Sequence, residues 1–483
     1  MISGIDPLTA TAADLQATLT SNSVTSRQLV KLYLDRIGRY DGYFRAVIVT
    51  APEDLLDKAA TRLDGERTNG HIRGPLHGIP ILIKLVAAGA IIIGKANLSV
   101  CANLKSDLIS LTFEDLIMPT ADGLLFVARR NPHTFGEVFN AGGSSSGSAV
   151  AVAAGLSPIS IGTETMGSLI MPSDRSALYT IKPTLKIISQ EGLIPVTYEA
   201  DSAGPMTKSV LDLANLLDIL VDPSKTSVPE GGYRSAVTGK WGDIRIGVVE
   251  PADWLFPTKI VKYEQQASDQ MLREWELAYE KLRTVAKTVK PVKLLSLEEA
   301  TLGGTKNIWT AFASTFKDSL EDYLGSIDNS KVRTLEDLIK FNEEHAEQEL
   351  PPSADNQAGF IRALHAKMPD DEYRELIDFA RDRCGKNGID KVLEENEVDI
   401  IIGPGDGPMI NIAGTAGYPS ATLPLGYLDF NGRPFGLQIL AKAHQEALLI
   451  EAQSAWEATF AKRQPPPLSE IIKLGEAIES SNS

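Results

Sequence analysis

The chain has 483 residues, of which 43% are hydrophobic and 23% are charged, so it can bury a large core and has an ordinary globular composition. Its formal net charge of −16 disfavours nucleic acid and anionic membrane surfaces as partners. The two cysteines, Cys101 and Cys384, cannot supply a disulfide framework, so a reducing compartment is expected. Six scattered histidines, without any C-x-x-C or H-E-x-x-H pattern, argue against a metal site.

The N-terminal residues carry neither the basic nor the apolar region of a signal peptide. The longest apolar run, residues 86–94, is too short to span a bilayer. We therefore predict a cytoplasmic protein without a membrane partner. The sequence leaves the oligomeric state open.

The predicted elements alternate between helices and strands. Capping boxes at Thr11 and Thr25 predict two N-terminal helices. Further helices are predicted at residues 52–63, 148–155, 209–220, 260–289 and 446–460, and residues 305–395 are predicted as a mostly helical cap or insertion. Strands are predicted at residues 81–83, 90–93, 156–161, 244–249, 398–403, 421–426 and 434–441. This alternation predicts one large α/β domain whose sheet is covered by helices on both faces.

Two glycine–serine loops flank a run of small residues between positions 141 and 172, with Ser144 in the first loop and Ser168 in the second. We expect the loops to flank one buried helix–strand unit and to form a site. Lys84 ends a buried apolar strand, where desolvation favours the neutral amine and makes this lysine a candidate base.

The residues alone leave four interpretations of these loops. A phosphate cradle is the first, although G-x-x-x-x-G-K-[ST] is absent and Pro408 stands where a dinucleotide fingerprint needs its third glycine. An α/β-hydrolase is the second, since residues 143–147 match G-x-S-x-G with Ser145 as nucleophile, followed by Asp406 and His444. The third is a serine nucleophile activated by lysine, and the fourth is a packing role for glycine and serine.

Taken together, the motifs resemble those of the amidase signature family. The matching segments are residues 74–84 (GPLHGIPILIK), 88–97 (AGAIIIGKAN), 142–148 (GGSSSGS), 162–168 (GTETMGS), 182–184 (KPT), 201–205 (DSAGP), 416–419 (AGYP) and 432–436 (GRPFG). The loop motifs look most like those of the peptide amidase branch and its fungal and plant relatives. The resemblance implies a single α/β domain around a large mixed sheet.

The resemblance also implies a role for each serine. Ser168 matches the nucleophile that forms an acyl-enzyme, and Ser144, held after a cis peptide bond from Gly143, matches the bridging serine. Lys84 matches the base, which takes the proton through Ser144. The oxyanion hole is matched by four backbone N–H groups, those of Thr165, Met166, Gly167 and Ser168. No metal or organic cofactor is implied, and the expected partner is a small-molecule or peptide amide substrate.

The implied organisation has three parts. Residues 1–70 form a helical segment packed on the core, residues 71–462 form the amidase signature domain with the helical cap at 305–395, and residues 463–483 form a loose tail. Peptide amides, small aliphatic or aryl amides and fatty acid amides all remain possible substrates.

Three features depart from the family motifs, one of which is that residues 173–179 (SDRSALY) replace a small, glycine-containing stretch and Val100 stands near a usual acidic position. Leu85 follows Lys84 directly, where the family has Asp-Asn and then a further strand and helix. Met166 stands where glycine or aspartate is usual, and it would be strained if the loop needs a positive φ there. These departures favour the alternative of an amidase-fold protein with impaired or no catalysis.

Overall fold

The computed structural model describes seven segments of the chain, which are residues 4–83, 90–97, 141–257, 264–296, 298–303, 306–350 and 356–468.

Eleven strands in the described segments form one sheet. They are β1 (Val47–Thr50), β2 (Pro80–Ile83), β3 (Ile91–Ala96), β4 (Ile159–Glu164), β5 (Tyr179–Lys182), β6 (Ser202–Thr207), β7 (Arg245–Val248), β8 (Thr288–Pro291), β9 (Ile400–Pro404), β10 (Ser420–Tyr427) and β11 (Pro434–Leu440). Their order across the sheet is β1-β3-β2-β4-β6-β5-β10-β11-β9-β7-β8. Strand β2 runs parallel to β3 and β4, and β7 runs parallel to β8 and β9, whereas the other pairs are antiparallel. The predicted α/β fold with a mixed sheet is confirmed.

The α-helices of the described segments are α1 (Ala12–Thr20), α2 (Ser26–Phe44), α3 (Glu53–Thr68), α4 (Ser146–Ala153), α5 (Ile170–Asp174), α6 (Val210–Leu220), α7 (Gln265–Val285), α8 (Ile308–Gly325), α9 (Leu335–Glu344), α10 (Ala346–Glu349), α11 (Ala358–His365), α12 (Asp370–Cys384), α13 (Lys391–Asn396), α14 (Met409–Ala416) and α15 (Glu446–Thr459). Both predicted capping boxes are present: the hydroxyls of Thr11 and Thr25 accept from the backbone N–H three residues on, and the side chains of Asp14 and Gln28 accept in return. No helix of the described segments is long and apolar enough to cross a membrane.

Several elements differ from the predictions, and among them β1 and α5 were not predicted. Strand β6 was not predicted, because its sequence SAGPMT contains glycine and proline, yet it pairs along its whole length with β4. Helix α14 was also missed. The helix predicted over residues 260–289 ends at Val285, and residues from Thr288 onwards form β8 instead.

Helix α4 is the small-residue helix that the sequence predicted, and all eight of its residues are buried. A Cβ on Gly147 would lie 2.3 Å from the carbonyl oxygen of Asn97 and 2.6 Å from that of Ala46, so only glycine permits this close approach. The Ser148 hydroxyl donates to the carbonyl oxygen of Ile161, at 3.0 Å, and so ties the helix to β4. This packing fixes the helix whose N-terminus carries the first serine loop.

Helices α8 to α13 lie within the stretch that was predicted as a mostly helical cap. They have two apolar clusters of their own, one built on Phe312 and Leu376 and the other on Phe316 and Phe360. Met166 belongs to the first of these clusters, so this cluster joins the cap helices with a residue of the second serine loop.

Candidate active site

The two serine loops are in contact. The backbone N–H of Ser145 donates to the carbonyl oxygen of Ser168, at 3.2 Å. A Cβ on Gly142 would lie 2.9 Å from Cα of Pro172, so glycine is needed where the loops cross. The peptide bond between Gly143 and Ser144 is cis. The buried helix–strand unit of α4 and β4 therefore brings the two loops together.

Ser168 is the more open of the two candidate serines. Its side chain is partly exposed, whereas Ser144 is 8% exposed. Within the described segments, the Ser168 hydroxyl makes no hydrogen bond, and neither do the backbone N–H groups of Thr165, Met166 and Ser168. One hydroxyl and three N–H donors are thus left available in a single short loop.

The candidate base, Lys84, lies outside the described residues. The strand that precedes it, β2, runs parallel to β4, with Ile83 opposite Ile161. Parallel neighbours end at the same edge of a sheet. The chain therefore leaves β2 at the edge where β4 leads into the Ser168 loop.

The alternative nucleophile, Ser145, is fully buried, and its hydroxyl both donates to the Thr163 carbonyl oxygen (2.8 Å) and accepts from the Thr163 N–H (3.0 Å). The Asp406 carboxylate is held by two arginines, and the exposed His444 ring lies 3.0 Å from the Thr226 hydroxyl through Nδ1. Each proposed member of a G-x-S-x-G triad is therefore engaged elsewhere.

A buried carboxylate, that of Glu164, binds backbone N–H groups that follow Ser168. Glu164 ends β4, and its Oε2 accepts from the N–H groups of Leu169 (2.8 Å) and Ile170 (3.1 Å). Burial raises the pKa of Glu164, while the charge of Lys182 and the N–H groups of the loop, including that of Gly167, lower it. The Gly167 N–H is thus among the loop N–H groups that favour the ionised carboxylate.

A second carboxylate holds the start of the same loop. The Thr165 hydroxyl donates to Oδ1 of Asp201, at 2.5 Å. Oδ2 of Asp201 accepts from the N–H groups of Val196 (2.7 Å) and Thr197 (3.0 Å). Asp201 thus ties the loop to the turn before β6.

Comparisons with known proteins agree with these motifs. A family model for amidases matches residues 84–409. The probable amidase of Arabidopsis thaliana is 30% identical, over 95% of this chain and 91% of the plant protein. The chain belongs to the amidase signature family.

Two solved structures of peptide amidases resemble this family member along nearly its whole length. The native peptide amidase from Stenotrophomonas maltophilia is 31% identical, with a TM-score of 0.78 over 95% of this chain and 98% of that one. A peptide amidase in complex with the competitive inhibitor chymostatin is 32% identical, with the same TM-score of 0.78 over 95% of this chain and 99% of that one. This amidase is therefore a hydrolase that acts on amides, as the motifs predicted.

The amidase loop accommodates Met166 without backbone strain. The residue with a positive φ is the next one, Gly167 at 78°, and Met166 is not among the non-glycine residues with positive φ. The Met166 side chain is buried within the apolar cluster that includes Phe312 and Leu376 of the helical cap, and its sulfur lies 3.9 Å from the Thr415 hydroxyl. The concern that a bulky side chain distorts this loop is thus not supported by its geometry.

Sequence reasoning missed the charged residues that support the amidase loop. Glu164, Lys182 and Asp201 were noted only as letters of the motifs, and no role was predicted for them. A signal was present, because each is an ionisable residue within a stretch of small or apolar residues that form buried strands or their ends. Such residues are rarely buried without a partner.

Proposed function

We propose that this amidase hydrolyses the C–N bond of a carboxylic amide through an acyl-enzyme on Ser168, with Ser144 as relay and Lys84 as base. The observation that supports this most directly is the hydrogen bond between the two loops, since it places the Ser144 loop against Ser168. Ser168 is also the partly exposed serine and has no other hydrogen-bond partner among the described residues.

In the proposed reaction, the Ser168 oxygen attacks the amide carbonyl carbon while its proton passes through Ser144 to the neutral amine of Lys84. The tetrahedral oxyanion would accept from the N–H groups of Thr165, Met166 and Ser168. Each such donor contributes about 10²–10³ in kcat. Return of the proton to the leaving nitrogen breaks the C–N bond, and water then hydrolyses the acyl-enzyme by the same route.

This assignment narrows the predicted oxyanion hole from four N–H groups to three. We leave out the Gly167 N–H, because it is one of the groups that lower the pKa of Glu164. Gly167 has a different role, because a Cβ there would lie 2.4 Å from Cδ1 of Ile410 and because its φ is positive. The glycine allows the loop to turn under α14.

For the substrate, we propose a peptide amide or a small-molecule amide of similar size. The support is the likeness to two peptide amidase structures, one of which binds the inhibitor chymostatin. Hydrolysis of a peptide C-terminal amide would release ammonia, which can be measured directly.

A fluorophosphonate probe tests the assignment, since it labels activated serines. We expect labelling of the wild type and of Ser145→Ala, loss of labelling in Ser168→Ala, and at least a 100-fold slower reaction in Lys84→Ala and Ser144→Ala. Loss of labelling in Ser145→Ala but not in Ser168→Ala would overturn the choice of nucleophile. Undiminished labelling of Lys84→Ala would overturn the lysine relay.

The second candidate is an amidase fold with impaired or no catalysis. The direct junction of Lys84 and Leu85, where the family has a further strand and helix, favours it. A folded wild-type protein that neither reacts with the probe nor releases ammonia from peptide amides would establish this candidate instead.

A further inference from the structure

The backbone N–H groups of the loop from Glu164 to Ile170 form two sets, one bound by a buried carboxylate and the other left without a hydrogen bond in the described segments. Those of Leu169 and Ile170 are bound by Oε2 of Glu164, whereas those of Thr165, Met166 and Ser168 make no hydrogen bond within the described segments. Glu164 is 1% exposed, and its Oε1 makes no hydrogen bond to a described residue. One buried oxygen atom therefore fixes the turn that carries Ser168.

A carboxylate in this position needs a compensating charge, because burial strongly disfavours its ionised form. Lys182 of β5 is fully buried, and its charge lowers the pKa of Glu164. The lysine donates its hydrogen bond to the Pro183 carbonyl oxygen, at 3.0 Å, so it acts on Glu164 as a charge through the protein interior.

The other charged groups around Lys182 come from two helices. Burial lowers the pKa of Lys182 to about 8, the charges of Glu164 and of Glu446 on α15 raise it, and Arg381 on α12 lowers it. Glu446 is itself committed, because its Oε1 accepts from the N–H (2.8 Å) and the hydroxyl (2.5 Å) of Thr184. Glu164 is thus the carboxylate near Lys182 that also binds the catalytic loop.

We propose that Glu164 is a positioning residue of this amidase, whose hydrogen bonds to the N–H groups of Leu169 and Ile170 orient the oxyanion donors. By holding the N–H groups on the far side of Ser168, the carboxylate leaves those of Thr165, Met166 and Ser168 directed at the substrate. The inference rests on the proposed function for its catalytic consequence, while the positioning itself is independent of activity.

The test combines kinetics with amide hydrogen exchange of residues 165–172. We expect Glu164→Gln to lower kcat about 100-fold with little change in KM, because the donors act on the transition state, and to raise exchange at Leu169 and Ile170. The control is Glu457→Gln, which removes a half-buried carboxylate that also accepts a backbone N–H, that of Val210 at 3.2 Å, and should change neither quantity. If Glu164→Gln does not fold, Glu164→Asp serves instead. Aspartate keeps the negative charge but holds it farther from the N–H groups of the loop, so we expect an intermediate loss of kcat.

Lys182→Met tests the influence of charge through the pH dependence of kcat, which a purely structural role of Glu164 would not change. Without the lysine charge, the pKa of Glu164 rises further, so the acid limb of the kcat profile should shift to higher pH by one unit or more. Unchanged kcat and exchange in Glu164→Gln would overturn the proposal, and an unshifted profile in Lys182→Met would overturn the influence of the lysine charge on Glu164. If the wild type is inactive yet exchange rises in Glu164→Gln, the positioning stands and the proposed function fails.

Discussion

The two loops that meet at Ser168 are held by different physical means. The Ser144 loop depends on neutral contacts, namely the close approach of Gly147 to neighbouring backbone and the hydrogen bonds of Ser145 and Ser148 to backbone groups. The Ser168 loop depends on buried carboxylates, with Glu164 and Asp201 bound to its N–H and hydroxyl groups. Changes of pH should therefore act on one side of the site and spare the other.

The largest loss of stability is expected at Asp406, which binds Arg175 at the end of α5. Arg175 binds this carboxylate through two nitrogens, at 2.7 and 3.0 Å, and Arg433 through one, at 2.9 Å. Burial opposes ionisation of Asp406, but the two arginines outweigh it and hold the pKa below the usual value. Asp406→Asn leaves two buried guanidinium groups without their anion, and we expect a loss of about 3–5 kcal/mol in the free energy of unfolding.

Urea denaturation measures this loss. Asp35→Asn is the control, because it breaks an exposed i,i+4 pair with Lys31 and should cost about 0.5 kcal/mol or less. The dependence of this stabilisation on pH has a defined direction. A lowered carboxylate pKa stabilises the fold above about pH 4, and the stabilisation is lost as the pH falls through the folded-state pKa. Equal losses in the two variants would show that the buried Asp406 cluster stabilises the fold no more than an exposed ion pair does.

On the neutral side of the comparison, Gly147→Ala should be the most damaging change. The added Cβ would meet the backbone oxygens of Asn97 and Ala46 at 2.3 and 2.6 Å, so α4 must shift. We expect a loss of about 2–3 kcal/mol that does not vary with pH between 5 and 9. Gly38→Ala in α2 is the control, since nothing lies within 4 Å of its added Cβ, and it should gain about 0.5–1 kcal/mol.

A smaller loss is expected for Ser145→Ala. The variant leaves the N–H and the carbonyl of Thr163 without their side-chain partner, which costs about 2 kcal/mol for buried groups. Thermal or urea unfolding measures this, and fluorophosphonate labelling of Ser168 should persist. A variant of unchanged stability would mean that these two hydrogen bonds do not hold the Ser144 loop.

The comparison also shows which features of the molecule could be predicted. The neutral side was accessible from local patterns, because a run of small residues predicts a buried helix and short apolar runs predict the strands beside it. The α/β fold and the family followed from the same patterns and motifs. Strand β6 was missed because local propensity opposes a strand that contains Gly204 and Pro205, and pairing with β4 and β5 overrides that propensity.

The charged side was not accessible in this way. The role of Glu164 depends on a loop that folds back over its own strand, and that of Lys182 depends on β5, which β6 separates from β4 in the sheet. Arg175, Asp406 and Arg433 lie far apart in the chain, and no local pattern connects them. Long-range electrostatic partners follow from the topology, so they become visible only once the sheet order is known.

The smallest expected effect is a change in how the free energy of unfolding depends on pH. It distinguishes the charged support of the Ser168 loop from the neutral support of the Ser144 loop. Burial lowers the pKa of Lys182 to about 8 from its usual value of 10.5, so between these pH values the unfolded chain binds a proton that the folded chain has released. The free energy of unfolding should therefore rise with pH across this window, by about 1.4 kcal/mol per pH unit at most from this group. Lys182→Met should remove that part of the slope, while Ser145→Ala should lower stability equally at pH 8 and pH 10. Urea titrations of the three proteins at several pH values measure both outcomes, and a slope that Lys182→Met leaves intact would place the alkaline titration elsewhere, for example at Lys208, whose pKa is lowered to about 7 by burial.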